Sequence, residues 1–333
     1  MIASAAVLGA GSWGTAIAAL LADRGLNVQF WGRDQALMQQ IDQTRRNTRY
    51  LPELELPQSI RATSDLAALE PADLLVFVVP SKAMHDTAAQ VAAVGLGKTR
   101  PIVLSCTKGI ELNSGLRMSQ ILGQQFGDCP LAALTGPNHA EEVSQRLATA
   151  AVAAAQDMQI AQAVQDAFRV PWFRCYTSDD IVGVEWAGAM KNPYAIAAGI
   201  AAGLQLGDNA IAALVTRALA EMVRMGVHQG GRMETFYGLS GVGDLVATCY
   251  SEHSRNHRLG LALGRGQKLA DLLAASSMIA EGVPNTLSLY QCAQSAGVRT
   301  PLLDAMHDVL YAGKPPQLAL KELLGRELRA EAE

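Results

Sequence analysis

Six residues near the N-terminus, Gly9-Ala10-Gly11-Ser12-Trp13-Gly14, carry the spacing G-x-G-x-x-G. In such a run the first glycine permits a tight turn, the second lets a pyrophosphate reach the backbone, and the third lets a helix pack closely on a strand. The helix N-terminus then offers unpaired N–H groups to the phosphates. Further on, Phe30-Trp31-Gly32-Arg33-Asp34 holds both residue types that discriminate at a ribose. An acid there suits a free 2′-hydroxyl and an arginine suits a 2′-phosphate. Arg33 therefore favours NADP, and Asp34 keeps NAD open.

A second group of residues could do chemistry on a bound molecule. Lys108, in Thr107-Lys108-Gly109, and Asn138, in Gly136-Pro137-Asn138, each follow an apolar run. In an open α/β sheet, ligands sit beyond the carboxyl ends of the strands, and a lysine there can meet a phosphate or a carbonyl oxygen. Lys191-Asn192-Pro193 interrupts a long apolar stretch from Ile181 to Leu206. A lysine held in apolar surroundings has its pKa lowered, which suits proton transfer; the same lysine could instead snorkel from a helix end. Pro193 predicts a kink or break at this point. Gly238-Leu239-Ser240-Gly241-Val242-Gly243-Asp244-Leu245 is a glycine-rich turn that ends in an acid. Ser254-Arg255-Asn256 opens a helix, where an arginine fork and free N–H groups can hold phosphate. Glu281-Gly282-Val283 is another turn with an acid. Each of these also reads as an ordinary cap or loop. The six histidines are scattered along the chain and predict no metal site.

These residues need elements to place them. Residues 2–8 are short and apolar, the glycine turn leads into a helix that stops at Gly25, and 27–31 form a second strand. That is a β-turn-α-β unit and implies parallel strands. Further buried strands are expected at 74–79, 101–105, 131–134 and 148–154, with helices at 34–44, 82–94 and 114–125. Beyond residue 178 no run of β-branched residues stands out. Helices are expected at 180–190, 194–205, 208–225, 254–264, 268–275, 284–296 and 301–312. The fold class is therefore α/β: a Rossmann-type doubly wound sheet in residues 1–179, followed by an all-helical domain in 180–333 that carries substrate and catalysis.

Composition narrows the function classes. A chain of 333 residues that is 50% hydrophobic and 17% charged is neither disordered nor a disulfide-stapled miniprotein. A net charge of −4 gives no global reason to bind nucleic acid. Five cysteines without a C-x-x-C pair fit reduced thiols in a cytoplasmic protein. Residues 1–22 lack charge, but glycines interrupt the run and no basic residue precedes Arg24, so neither a signal peptide nor stable membrane insertion is expected.

Taken in order, the motifs resemble those of the bacterial NAD(P)-dependent sn-glycerol-3-phosphate dehydrogenases. They are GAGSWGTA at 9–16, Asn47-Thr48-Arg49-Tyr50-Leu51-Pro52, CTKGIE at 106–111, GPNHAEEV at 136–143, Lys191-Asn192, GLSGVGDL at 238–245, SRN at 254–256 and AEGV at 280–283. The match spans nearly the whole chain. The resemblance implies reversible reduction of dihydroxyacetone phosphate to sn-glycerol 3-phosphate with NADP(H) or NAD(H), a step toward glycerophospholipids, in a homodimer. It implies that Ser12, Trp13, Arg33, Tyr50, Lys108, Ala140, Arg255, Ile279 and Glu281 contact the cofactor beside Gly9, Gly11 and Gly14. It assigns Lys108, Gly136, Asn138, Lys191, Asp244, Ser254, Arg255 and Asn256 to the substrate, with Lys191 as the proton acceptor. Two features depart from the pattern: Asn138 stands where the family often has Ser or Thr, and Tyr250 to His253 is less typical. An amide can still hydrogen-bond a substrate oxygen. Two rivals stay open on the sequence: a dehydrogenase of similar architecture acting on ketopantoate or hydroxyacyl-CoA, and a non-catalytic NAD(P)H sensor. The hydroxyacyl-CoA chemistry would want a His–Glu pair, and no clear candidate exists. The sensor would need neither Lys191 nor a phosphate anchor.

Overall fold

Ten strands precede the long helices of the second half in a computed structural model that describes residues 2–275, 280–327 and 330. They are β1 (Ser4–Leu8), β2 (Asn27–Trp31), β3 (Arg46–Asn47), β4 (Leu51–Glu55), β5 (Ile60–Thr63), β6 (Leu74–Phe77), β7 (Ile102–Ser105), β8 (Leu131–Thr135), β9 (Thr149–Ala154) and β10 (Phe173–Ser178). β3 and β4 pair with each other; the other eight form one sheet in the order β10-β9-β8-β7-β6-β1-β2-β5. The sheet grows both ways from β1, so the reversal of winding falls between β1 and β6. A crevice opens there at the strands' carboxyl ends. Alternate residues of β1 explain its apolar run: Ala5 and Val7 join the core on one face, Ala6 and Leu8 the core on the other.

One pairing departs from the expected parallel arrangement. β8 and β9 are antiparallel, while β9 and β10 are parallel to each other. The link between β8 and β9 carries Gly136 to Ala140 past the crevice, and its short helix, Ala140–Ser144, packs near the Ser12–Asp23 helix. The chain therefore re-enters the sheet from the end it left, which reverses the strand.

The second half is helical; among the described residues no strand follows Ser178. The expected break at Pro193 is absent, and one helix runs from Ile181 to Gly203 through the proline. A proline inside a helix costs about 3 kcal/mol. Here nearly every residue from Ile181 to Ala201 is buried, so packing on all sides holds the helix together. Its N-terminus is tied down by Asp180, whose carboxylate accepts from Gly183 N, Arg232 N and Thr235 Oγ1. Glu185, one turn on, accepts from Ser119 N at 2.8 Å and from Arg117 Nη1 at 2.5 Å, which joins the helix to the sheet half.

The closest neighbour of this helix is Arg255–Gly264. A Cβ on Gly260 would fall 2.0 Å from Ile196 O, and one on Gly199 would fall 2.1 Å from His257 O. The two backbones touch because glycine separates them. A third helix, Asp208–His228, contributes Glu221, which is 3% exposed. Its carboxylate accepts from Tyr194 Oη at 3.0 Å and from Leu302 N at 2.7 Å and Leu303 N at 3.2 Å, capping the Pro301–Tyr311 helix. Burial pushes its pKa up to about 7 against these hydrogen bonds, and nearby Asp304 adds to the rise.

Candidate active site

The glycine turn after β1 is built by close approach. Gly9 has φ +126°, and a Cβ there would lie 2.3 Å from Val78 O. One on Gly14 would lie 1.8 Å from Gly9 O, so the helix could not start where it does. Gly11 differs: a Cβ would meet nothing within 4 Å. It N-caps the Ser12–Asp23 helix without any side-chain capping bond. The first-turn N–H groups are thus presented to an open space, as anion binding requires. The β3–β4 hairpin braces this turn, since Asn47 Nδ2 donates to Ala10 O at 3.0 Å and Thr15 Oγ1 at 2.8 Å, and Ser12 Oγ donates to Tyr50 O at 3.3 Å.

A cavity of about 560 Å³ extends from this turn into the helical half. At the adenosine-facing rim expected for such a turn stand Gly32, Arg33 and Asp34. Asp34 is already engaged: it accepts from Leu37 N at 3.0 Å as a helix cap and pairs with Arg49 at 3.3 Å. Arg33 is exposed on the same rim. Trp13 Nε1 is buried without a partner on the wall of the same cavity. The open cradle at Gly11 and this orphaned donor fit a dinucleotide.

At the far end, two lysines from different halves meet one carboxylate. Lys108 Nζ donates to Asp244 Oδ2 at 2.6 Å, to Gly136 O at 3.0 Å and to Asn138 Oδ1 at 3.1 Å. Lys191 Nζ donates to Asp244 Oδ1 at 2.6 Å and to Thr248 Oγ1 at 2.6 Å. An ammonium has three protons to give. Lys108 has used all of them, whereas Lys191 keeps one. Burial lowers the Lys191 pKa, the Asp244 carboxylate opposes that, and the Lys108 charge adds to it; the value falls to about 8. Burial works to raise the Asp244 carboxyl, but both ammoniums outweigh it and hold it below its ordinary value. Asp244 is placed by the glycine-rich segment before it. Leu239–Gly243 forms a single wide turn closed by Gly243 N to Gly238 O at 3.2 Å, and the Asp244–Tyr250 helix follows directly.

The Ser254-Arg255-Asn256 segment lines the same cavity as these lysines. Ser254 Oγ caps the Arg255–Gly264 helix through His257 N at 3.1 Å. Arg255 stands on the cavity wall. Asn256 Nδ2 donates to Asn192 Oδ1 at 3.0 Å, and Asn256 Oδ1 accepts from Gly282 N at 3.0 Å, linking the segment to the residue next to Lys191.

Of the residues singled out in the sequence, Gly9, Gly11, Ser12, Trp13, Gly14, Arg33, Tyr50, Lys108, Asn138, Ala140, Lys191, Ser254, Arg255, Asn256 and Glu281 line this one cavity. Gly136 and Asp244 are not on its wall; they touch the lysines from behind. Ile279 lies outside the described residues. Asn138 Nδ2 is buried on the wall without a partner, so the amide keeps a donor there while its Oδ1 accepts from Lys108. Sequence reasoning missed Thr248, which faces Lys191 because it lies one helical turn after Asp244. It also passed over Asn192 and His139, although both sit inside segments it quoted. Burial, then the Lys191 charge, lowers the His139 pKa. His253 and His257 stand four residues apart, yet no cluster of three or more His, Cys, Asp or Glu suited to a metal forms among the described residues.

A doubly wound sheet whose glycine turn opens onto a cavity holding a buried lysine of lowered pKa defines a nicotinamide-nucleotide dehydrogenase. Comparison with known proteins narrows the class. Residues 4–161 match the family model for the NAD-dependent glycerol-3-phosphate dehydrogenase N-terminus, and 180–321 match that for its C-terminus. A glycerol-3-phosphate dehydrogenase (NAD(P)+) of Xanthomonas oryzae is 47% identical over 328 residues, covering 98% of this chain and 96% of the relative. One from Moorella thermoacetica is 46% identical, covering 99% and 98%. The crystal structure of glycerol-3-phosphate dehydrogenase from Coxiella burnetii superposes with a TM-score of 0.93 at 37% identity, covering 98% of this chain and 99% of that one. The chain belongs to the NAD-dependent glycerol-3-phosphate dehydrogenase family. A ketopantoate reductase from Ralstonia eutropha shares the fold alone, at 18% identity and a TM-score of 0.61.

Proposed function

We propose that the chain catalyses the NAD(P)H-dependent reversible reduction of dihydroxyacetone phosphate to sn-glycerol 3-phosphate, feeding glycerophospholipid biosynthesis. The observation that carries this reading is the unequal use of the two ammoniums around Asp244. Lys108 is saturated, so it supplies charge, while Lys191 has a proton left and a pKa of about 8. When bound, the nicotinamide supplies or accepts the hydride. In reduction Lys191 donates its free proton to the developing alkoxide, which both lysines stabilise; in oxidation neutral Lys191 accepts the hydroxyl proton. Asp244 and Thr248 hold Lys191 Nζ in place. Arg255 and the helix end at Ser254 to Asn256 anchor the phosphate, which fixes the distance of the reacting carbon from Lys191. Asn138 Nδ2 gives a further hydrogen bond to a substrate oxygen.

The family relationship and the motif order support this choice over a ketopantoate reductase or a redox sensor. Residues 1–179 hold the cofactor, residues 180–333 hold substrate and catalysis, and the enzyme is a cytoplasmic homodimer. Five unpaired cysteines suit a reducing compartment, and among the described residues no helix is long and apolar enough to cross a membrane. Arg33 favours NADPH over NADH, because Asp34 is committed to its cap and to Arg49. The test is the absorbance of NADPH with and without dihydroxyacetone phosphate. Consumption only in its presence supports the reading; binding without turnover returns the sensor.

A further inference from the structure

The Gly282–Ala296 helix begins at the turn that carries Glu281, and its first turn is wedged against two loops of the sheet half. Ser81, after β6, donates Oγ to Glu281 Oε2 at 3.2 Å. Thr107, after β7, donates Oγ1 to Val79 O at 2.7 Å, which ties the two loops together. Four residues beyond Glu281, on the same helix face, Asn285 is 0% exposed. Neither its Oδ1 nor its Nδ2 has a hydrogen-bond partner. A Cβ on Gly109 would lie 2.9 Å from Asn285 Oδ1 and 2.8 Å from Ser81 Cβ. Only a glycine after Lys108 lets the amide come this close to that stretch of backbone.

We propose that Asn285 is a positioning residue that latches the Lys108 loop when the cofactor is bound. A buried amide without partners is unfavourable in the ligand-free protein and becomes favourable once a donor or acceptor reaches it. The peptide at Gly109 is backbone that comes close to this amide. Val79, Pro80, Thr107, Lys108 and Glu281 all line the cavity, so a dinucleotide seated there presses on both loops and on the turn that starts the Asn285 helix. A small shift of the 105–109 loop then pairs Asn285 with the Gly109 peptide and fixes the backbone that carries Lys108. Asn285 is not on the cavity wall; it acts through Lys108.

This inference rests on the cofactor reading above, and the experiment separates the two. Asn285→Leu keeps the same branched four-atom side-chain skeleton, with bulkier methyl ends, and removes both polar atoms. Full-length wild type and variant are compared by thermal unfolding, without ligand and with saturating NADPH, and by steady-state kinetics with dihydroxyacetone phosphate. The expected ligand-free midpoint is equal to or higher than wild type, because an unpaired amide has been removed. The NADPH-induced rise in midpoint falls by about half or more. kcat drops roughly tenfold while KM for dihydroxyacetone phosphate changes less, as loss of a contact made only in the loaded complex requires. A lower ligand-free midpoint with an undiminished NADPH-induced rise overturns the proposal, since the amide then serves the resting structure. Unchanged midpoints and kinetics overturn it as well. If NADPH does not stabilise wild type at all, the cofactor reading fails, while the ligand-free comparison still decides whether the amide is partnered.

Discussion

The glycine turn at one end of the cavity and the ionic cluster at the other recognise charge by opposite means. The turn holds no charged side chain; it works with the backbone N–H groups that open the Ser12–Asp23 helix and with the space left at Gly11. The cluster works with full charges, gathered from Lys108, Lys191 and Asp244, which are distant in sequence; Lys191 and Asp244 are buried and Lys108 is partly buried. Backbone donors cannot change protonation state, so the turn binds and does nothing more. Buried ammoniums can, and burial places one of them where a proton is readily moved. In the proposed function, binding and proton transfer fall on parts with different physical chemistry.

Substitutions should therefore separate the two ends. The largest effect is expected for Lys191→Met, which keeps length and apolar bulk while removing the ammonium. Turnover should fall by at least about 10²-fold, with NADPH affinity by fluorescence unchanged; near-normal turnover would remove Lys191 from proton transfer. In wild type the same group should give the pH profile its shape. Reduction needs the protonated amine and should decline above about pH 8, while oxidation needs the free base and should rise through the same range.

At the other end, Gly11→Ala should fold, since the added methyl meets no protein atom, but NADPH affinity should fall about tenfold or more because the methyl occupies the phosphate's place. Gly14→Ala puts the same methyl 1.8 Å from Gly9 O and should lower the unfolding midpoint first. Equal effects of the two would erase the distinction between cradle and hinge. Arg33→Ala should raise KM for NADPH by about tenfold, the loss of one charge-assisted contact, and leave KM for NADH nearly unchanged.

A further effect belongs to stability and lies away from both ends. The folded pKa of Glu221, about 7, is above the ordinary 4.5, so the native state holds the extra proton between these values. Its contribution is complete below about pH 4.5 and is lost as pH rises through 7, with a slope of on the order of 1 kcal/mol per pH unit within that window. Glu221→Gln should flatten this part of the stability curve measured by chemical denaturation.

The contrast between the two ends also explains what was legible in the sequence. The glycine turn is local, and each glycine has its reason within the same six residues or in the next strand. The cluster is not: nothing near Lys108 signals that its partner is Asp244, or that Thr248 completes the shell of Lys191. Strands with both faces covered, such as β1 and β6, showed as apolar runs. The edge strands β5 and β10 did not, because Ile60–Thr63 and Phe173–Ser178 leave part of their residues exposed. The reversal of β9 depends on where the chain passes the crevice, and the unbroken helix through Pro193 depends on neighbours that enclose it. Neither is written in local pattern.

The glycine contacts between the Ile181–Gly203 and Arg255–Gly264 helices give the molecule a ruler. Lys191 and Arg255 ride on these two helices, and the spacing between them is set by backbone against backbone, at Gly199 and Gly260, with no side chain to compress or rotate. Hard contacts of this kind define a length. Under the proposed function, with the phosphate at Arg255 and the carbonyl at Lys191, a fixed spacing admits one chain length, and a longer phosphorylated ketone should be reduced more slowly than dihydroxyacetone phosphate.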